Sequence, residues 1–343
     1  MKTKIDAAGT VHAANLSLPV SDFASASANK QFTRLRAEEP PYYKEFASGN
    51  IAKLRQSWDE HEAMPALERA KMLFPVDIKP TRLGGISADV VTPAGGIPAH
   101  NAQRVLINLH GGGFIAGAGA RALVEAIPVA HVGNIKVITL DYRLAPEHTF
   151  PAASIDIAAA YQALLTEYQP SHIGIYGCSA GGTLAAQTVA WFHRHSLPAP
   201  GAIAMICSNA ARMGTGDSML LGRAFGVCVP PPTKLRWYFD GSDPNDPLVS
   251  PCASPDLLAK FPPTLLLSTS RDFFLSHTTH MHLQLTKAGA NAHLYIWDGL
   301  WHGFVWQPDL PESREAYEII SSFFNSNLGS QVTGSTFQKR LDK

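Results

Sequence analysis

Cysteine is scarce in this chain of 343 residues: Cys178, Cys207, Cys228 and Cys252 are the whole set. None forms a Cys-x-x-Cys pair and their spacing is no disulfide framework, so reduced thiols and a cytoplasmic setting are expected. An excess of one charge is also missing. Twenty-eight Lys and Arg face 28 Asp and Glu, for a formal net charge of zero. That balance provides no electrostatic footprint for nucleic acid or an acidic membrane surface. No apolar run reaches the roughly 20 residues that a membrane-spanning helix takes. The beginning, Met1-Lys2-Thr3-Lys4, is basic, but Asp6, Thr10, His12 and Asn15 interrupt any apolar core of a secretory leader, so none is expected.

What is present is apolar and patterned: 45% of residues are hydrophobic and 16% charged. The length suits one large α/β domain with an appendage, or two domains. Residues 1–25, rich in Ala and Ser, read as extended. From Ala28 to Leu73, apolar residues recur at three- and four-residue spacings, predicting two or three helices broken at Pro40-Pro41 and at Pro65. Short β-branched runs then alternate with helical ones. Strands are predicted at Ile86–Val91, Arg104–Leu109, Lys136–Leu140, His172–Tyr176, Ala202–Cys207, Thr264–Ser268 and His293–Trp297, with helices between them and a last helix at Glu312–Asn325. Such alternation predicts a mostly parallel, doubly wound sheet. It lapses between Asn209 and Ser250, a stretch containing Pro230-Pro231-Pro232 that reads as an insertion, and the tail beyond residue 328 is polar.

In sheets of this kind, ligands bind beyond the carboxyl ends of the strands. Three of those ends, together with the glycine-rich turn after a fourth, carry chemistry. His172–Tyr176 runs into Gly177-Cys178-Ser179-Ala180-Gly181, followed by a good helix former; strand, Gly-x-Ser-x-Gly and helix make the context of a nucleophile elbow. Its turn is so sharp that the residues two positions either side of Ser179 must lack a Cβ. His110-Gly111-Gly112-Gly113-Phe114 follows another strand. Its glycines free backbone N–H groups to face a substrate and, with the N–H of Ala180, to stabilise a developing oxyanion. A phosphate-binding loop would instead open a helix with Lys-Ser/Thr or follow Gly-x-Gly-x-x-Gly. Asp272 and His302 follow two further strands. A serine hydroxyl needs a neutral imidazole to take its proton, and the imidazole needs a carboxylate to hold its tautomer. The order Ser179, Asp272, His302 is that of α/β-hydrolases; Asp298 is the rival acid, but it shares its loop with His302 and must reach around to Nδ1.

Other features read as structural. Asp141-Tyr142-Arg143-Leu144-Ala145-Pro146-Glu147 is taken to brace the glycine loop. His277, His280 and His282 do not share one helical face, so no metal site is expected. Cys178, at the x position of the elbow, reads as a packed hydrophobe pointing away from substrate, and Asp246–Pro251 as a turn back to the sheet.

Together, His110–Phe114, Asp141–Glu147, Gly177–Gly182, Asp246–Pro251, Asp272 and His302-Gly303-Phe304 resemble the hormone-sensitive-lipase-like family of α/β-hydrolases in its bacterial esterase form. The resemblance implies an eight-stranded, mostly parallel sheet with a helical cap, and a triad of Ser179, Asp272 and His302. It further implies an oxyanion hole from Gly112, Gly113 and Ala180, and hydrolysis of short- to medium-chain esters without a cofactor. Residues 1–75 and 209–245 would form the cap, residues 76–208 and 246–328 the core, and residues 329–343 a polar tail. There are two departures from the usual family pattern. Cys178 stands where Asp or Thr is common, and the acid loop reads Phe273-Phe274-Leu275-Ser276 after Asp272 where Pro-Leu-Arg-Asp is usual, which predicts a more apolar mouth.

The expected activity is therefore that of a serine carboxylesterase acting on a small-molecule ester through an acyl-enzyme, with Phe114, Trp58, Met213, Leu221, Phe225, Trp237 and Tyr238 as the apolar pocket wall. A lactone or amide hydrolase on the same triad, and a ligand receptor on an inactive hydrolase, are the alternatives; the sequence leaves a homodimer open.

Overall fold

In a computed structural model of the chain, residues 3–7, 11–13, 16–38, 40–226 and 237–329 are described. Cys228, the triple proline and residues 330–343 lie outside them. Eight strands build one sheet: β1 (Val76–Leu83), β2 (Ile86–Pro93), β3 (Val105–Leu109), β4 (Lys136–Leu140), β5 (Ile173–Cys178), β6 (Ala202–Ile206), β7 (Thr264–Arg271) and β8 (Ala292–Trp301). Their spatial order is β8-β7-β6-β5-β3-β4-β2-β1. All pairs from β4 to β8 are parallel, whereas β1–β2 and β2–β4 are antiparallel.

The parallel strands β3 to β7 are almost wholly buried because helices cover both faces of the sheet there, whereas the edge strand β8 is partly exposed. Residue parity divides them. Ile107 and Leu109 of β3, Ile175 of β5 and Met205 of β6 pack with Leu184 and Val189 of the helix Ala180–Arg194 and with Tyr161 of the helix Ala152–Leu164. Leu106, Tyr176, Ala204 and Leu267 face the other way, toward Val124 and Ile127 of the helix Ala120–Gly133 and Tyr317 and Phe324 of the helix Pro311–Asn327.

Two expectations are corrected at the amino-terminal side. Pro65 breaks nothing. The helix Ile51–Trp58 passes through a wide π-turn, Asp59–Ala63, where the Met64 N–H reaches back to the Asp59 carbonyl, and continues as Met64–Leu73. Pro65 falls in the first turn after that change of register, where its missing N–H costs little. The strand β1 was not anticipated: it is an edge strand with alternating, mostly exposed residues and a proline, Pro80, that only an edge tolerates. Before it, Thr3–Ile5 and Val11–Ala13 pair as a short antiparallel ribbon, in keeping with the extended reading of this segment.

The amino-terminal helices lack a core of their own and pack on the sheet's helices. Ala66, Leu67 and Ala70 of Met64–Leu73 join the face that holds Ala120–Gly133, and Leu54 joins the opposite one. Among the described residues, no helix is long and apolar enough to cross a membrane.

Candidate active site

The centre of the site is the turn between β5 and the helix Ala180–Arg194. Ser179 sits there at φ 57° and ψ −119°, a left-handed backbone that a serine adopts only under constraint. Its N–H donates to the Ile206 carbonyl of β6 at 2.8 Å, which pins the strained residue to the sheet. A Cβ on Gly177 or Gly181 would drive into the Leu109 carbonyl at the end of β3, so both glycines are demanded by close packing.

His302 directly follows β8 and Asp272 directly follows β7. His302 Nε2 lies 2.9 Å from Ser179 Oγ, and its Nδ1 lies 2.8 Å from Asp272 Oδ1. The same Oδ1 accepts the Phe274 N–H at 2.9 Å, and Oδ2 accepts the Ser268 hydroxyl at 2.8 Å. Burial pushes the Asp272 carboxyl upward, but the adjacent His302 and these hydrogen bonds outweigh it and hold the group below its ordinary value. An ionised Asp272 thereby fixes the ring with one nitrogen toward the serine. Phe273 stacks on the imidazole at 4.1 Å and Phe274 meets it edge-on at 5.7 Å, so the altered acid loop does make the surroundings apolar.

The rival acid is elsewhere. Asp298 accepts from Ser21 near the surface, and its carboxyl is lowered chiefly by that bond. His277 is buried with Nε2 toward the Arg212 carbonyl at 3.3 Å. Among the described residues, the one cluster with donor atoms close enough for a metal is Cys207, Asp272 and His302; both side chains beyond Cys207 are already engaged with each other, and burial holds the Cys207 thiol protonated. Cys178 is fully buried on the far face of the sheet, and burial raises its thiol well above the ordinary value.

The glycine loop lies against the serine. Gly112 and Gly113 have φ 127° and 63°, and Phe114 follows at φ 64°. Among the described residues, the N–H groups of Gly112, Gly113 and Ala180 donate to no protein acceptor, and all three residues border the same cavity as Ser179 and His302. The stretch Asp141–Glu147 does brace this loop: Tyr142 Oη donates to the His110 carbonyl at 2.7 Å and the Ala145 N–H to the Phe114 carbonyl at 2.8 Å. Arg55 ties it to the amino-terminal helices, donating to the Ile115 and Ala145 carbonyls and pairing with Glu147 at 2.8 Å.

The cavity holds about 550 Å³. Phe114, Trp58 and Met213 line it, joined by Phe273 and Phe274. Leu221, Phe225, Trp237 and Tyr238 do not. Leu221 faces solvent on the helix Ser218–Phe225, and Tyr238 is buried behind Phe114, stacked at 4.7 Å, with its hydroxyl accepting the Ala153 N–H. Apolar character alone does not tell a wall from a backing layer. The wall the sequence did not reveal comes from the amino-terminal helices, through Leu35, Tyr42 and Pro65, with Arg34, Glu62 and Arg69 also lining it.

Glu125 was also missed. It is fully buried in the helix Ala120–Gly133 and contacts the glycine loop, the elbow strand and the histidine loop at once. A lone acid within Ala122-Leu123-Val124-Glu125-Ala126-Ile127 was the available signal.

Chemically, a serine hydroxyl bonded to an imidazole that is itself bonded to a buried carboxylate can lose its proton as it attacks a carbonyl carbon, with free N–H groups nearby for the oxygen. The chain is similar to known hydrolases. A family model described as alpha/beta hydrolase fold matches residues 106–306. An esterase of Acinetobacter venetianus is 28% identical over 277 residues, covering 76% of this chain and 88% of its own. An acetyl-hydrolase of Streptomyces hygroscopicus is 30% identical over 237 residues, covering 68% and 79%. Among solved structures, an esterase superposes with a TM-score of 0.80 at 26% identity over 92% of this chain and 98% of its own. An esterase from the bacterial hormone-sensitive lipase family does so at 0.76 and 26%, over 88% and 99%. With half of the chain and more matched by the family model and the site assembled at the expected strand ends, the chain belongs to the α/β-hydrolase fold family, in its hormone-sensitive-lipase-like branch.

Proposed function

We propose that this carboxylic ester hydrolase acts on compact apolar esters of short to medium acyl length through an acyl-enzyme on Ser179. The observation that carries the reading is the unbroken hydrogen-bond line from Ser179 Oγ through His302 to Asp272, at 2.9 and 2.8 Å. Ser179 Oγ attacks the ester carbonyl while His302 Nε2 takes its proton. The oxyanion rests on the N–H groups of Gly112, Gly113 and Ala180, where each well-placed donor contributes about 3–4 kcal/mol to the transition state. His302 returns the proton to the departing alcohol, and water then repeats the cycle on the acyl group.

The substrate class follows from the cavity. Phe273 and Phe274 lie against His302; Phe114, Trp58 and Met213 line the same cavity, and its volume of about 550 Å³ suits a small apolar ligand rather than a long lipid chain. We read residues 1–75 and the described parts of 209–245 as a cap over this cavity. The amino-terminal helices supply Tyr42, Trp58 and Pro65 to the wall, which supports that division. The complete line of three groups speaks against a ligand receptor built on an inactive hydrolase.

A series of p-nitrophenyl esters from acetate to tetradecanoate tests the substrate class. kcat/KM is expected to peak among butanoate and hexanoate and to collapse at tetradecanoate. A maximum at the longest chain would overturn the compact-ester reading.

A further inference from the structure

Four donors converge on one buried carboxylate beneath the site. Glu125 Oε1 accepts the Gly111 N–H and the Trp306 indole N–H, both at 2.8 Å. Its Oε2 accepts the Asn108 amide at 3.2 Å and the Cys178 N–H at 3.3 Å. Gly111 begins the glycine loop, Cys178 is the residue before Ser179, and Trp306 closes the turn after His302, its backbone N–H donating to the Gly303 carbonyl. We propose that Glu125 is the positioning residue of the oxyanion site, holding the glycine loop, the elbow strand and the histidine loop in one register.

The chemistry requires an acid here. The four groups are all donors, so a carboxylate satisfies them, whereas an amide of the same shape places its own NH₂ against two of them. Burial pushes the Glu125 carboxyl up to about 7, against the pull of the Gly111, Trp306 and Asn108 hydrogen bonds and the Arg121 charge. Arg121, also buried, lies over the Trp306 ring at 4.2 Å and pairs with Glu62 of the π-turn at 2.7 Å. Glu62 borders the cavity, so the counter-charge of the clamp reaches the amino-terminal helices. Gly111 has no room for a side chain on the Trp306 side: a Cβ there would lie 2.6 Å from its ring.

The inference rests on the acyl-transfer reading, which substitution of Ser179 tests separately. The experiment is Glu125→Gln in the full chain, measured for folding by circular dichroism, for kcat and KM with p-nitrophenyl butyrate, and for affinity toward an alkyl boronic acid, whose adduct on serine mimics the tetrahedral intermediate. Because the substitution keeps volume, a packing role leaves kcat and boronate affinity at parental values. The clamp predicts that both fall together by about tenfold to a hundredfold, part of what loss of an oxyanion donor costs, while KM holds. Parental kcat, or lowered kcat with boronate affinity intact, overturns the proposal. Should Glu125→Gln not fold, Trp306→Phe decides: it removes one of the two donors from Oε1 and keeps a ring over Arg121. Lowered kcat and boronate affinity at constant KM support the clamp, and parental values overturn it.

Discussion

Replacing Asp272 by Asn removes a charge and little else. Oδ1 serves both His302 Nδ1 and the Phe274 N–H, at 2.8 and 2.9 Å. The fixed backbone donor selects the amide oxygen for that position, and the Ser268 hydroxyl can turn to accept from the new NH₂. Ring orientation and tautomer therefore survive, and the cost is the lost attraction between carboxylate and the imidazolium formed in the transition state. Taking charge centres about 4 Å apart at an effective dielectric constant near 20, that attraction is about 4 kcal/mol. Asp272→Asn should lower kcat for p-nitrophenyl butyrate by about 10³ with KM little changed. Asp298→Asn, at the rival acid, should stay within about twofold, because that side chain is half outside and bonded to Ser21. A loss below about tenfold at Asp272, or a comparable loss at Asp298, would refute the assignment of the carboxylate.

Other perturbations have distinct signatures. Phe273→Ala removes the ring stacked on His302 and should cost about 3 kcal/mol of stability in urea unfolding, while branched acyl esters gain relative to straight ones as the wall recedes. Gly181→Ala sets a methyl group into the Leu109 carbonyl and should destabilise by more than about 3 kcal/mol, seen as loss of soluble folded protein. Glu125 gives a pH signature of opposite sign to that of a salt-bridged acid. Its folded value near 7 lies above the ordinary 4.5, so across that window the folded protein keeps a proton that the unfolded chain has released. This contribution therefore falls as pH rises, by on the order of 3 kcal/mol in all. The facing groups do not titrate there: Arg121 stays cationic, and burial keeps Tyr142, Tyr176, Tyr317 and Cys178 neutral. Unfolding midpoints of Glu125→Gln should lack this slope; parallel pH curves for the two proteins would contradict it.

The parts of this molecule that were legible in its sequence share a cause. β4 and β5 are sandwiched between helix layers, so nearly every residue is buried and the apolar run stands out. Ser179, Asp272 and His302 each follow such a strand, and strand ends are where a parallel sheet gathers its polar groups. β1 was invisible because an edge strand half in water carries no apolar run, and Pro65 misled because it falls in the first turn after a π-turn, where its missing N–H costs little. The pocket was half legible. Phe114 and Tyr238 are equally aromatic, yet one lines the cavity and the other backs it, a difference fixed by the left-handed turn at Phe114 and not by composition. Glu125 shows the converse: its single charge in an apolar helix was plain, but its four partners come from three separate segments that only the fold brings together.

The central claim is that Ser179 carries the acyl group. It is tested most directly by quenching the enzyme with acid during turnover of p-nitrophenyl butyrate and mapping the adduct by peptide mass spectrometry. One butyryl group is expected, on the peptide containing Ser179 and on its hydroxyl. A butyryl group on Cys178, Cys207 or a histidine in its place, or continued turnover at the parental rate by Ser179→Ala with no adduct formed, would contradict it.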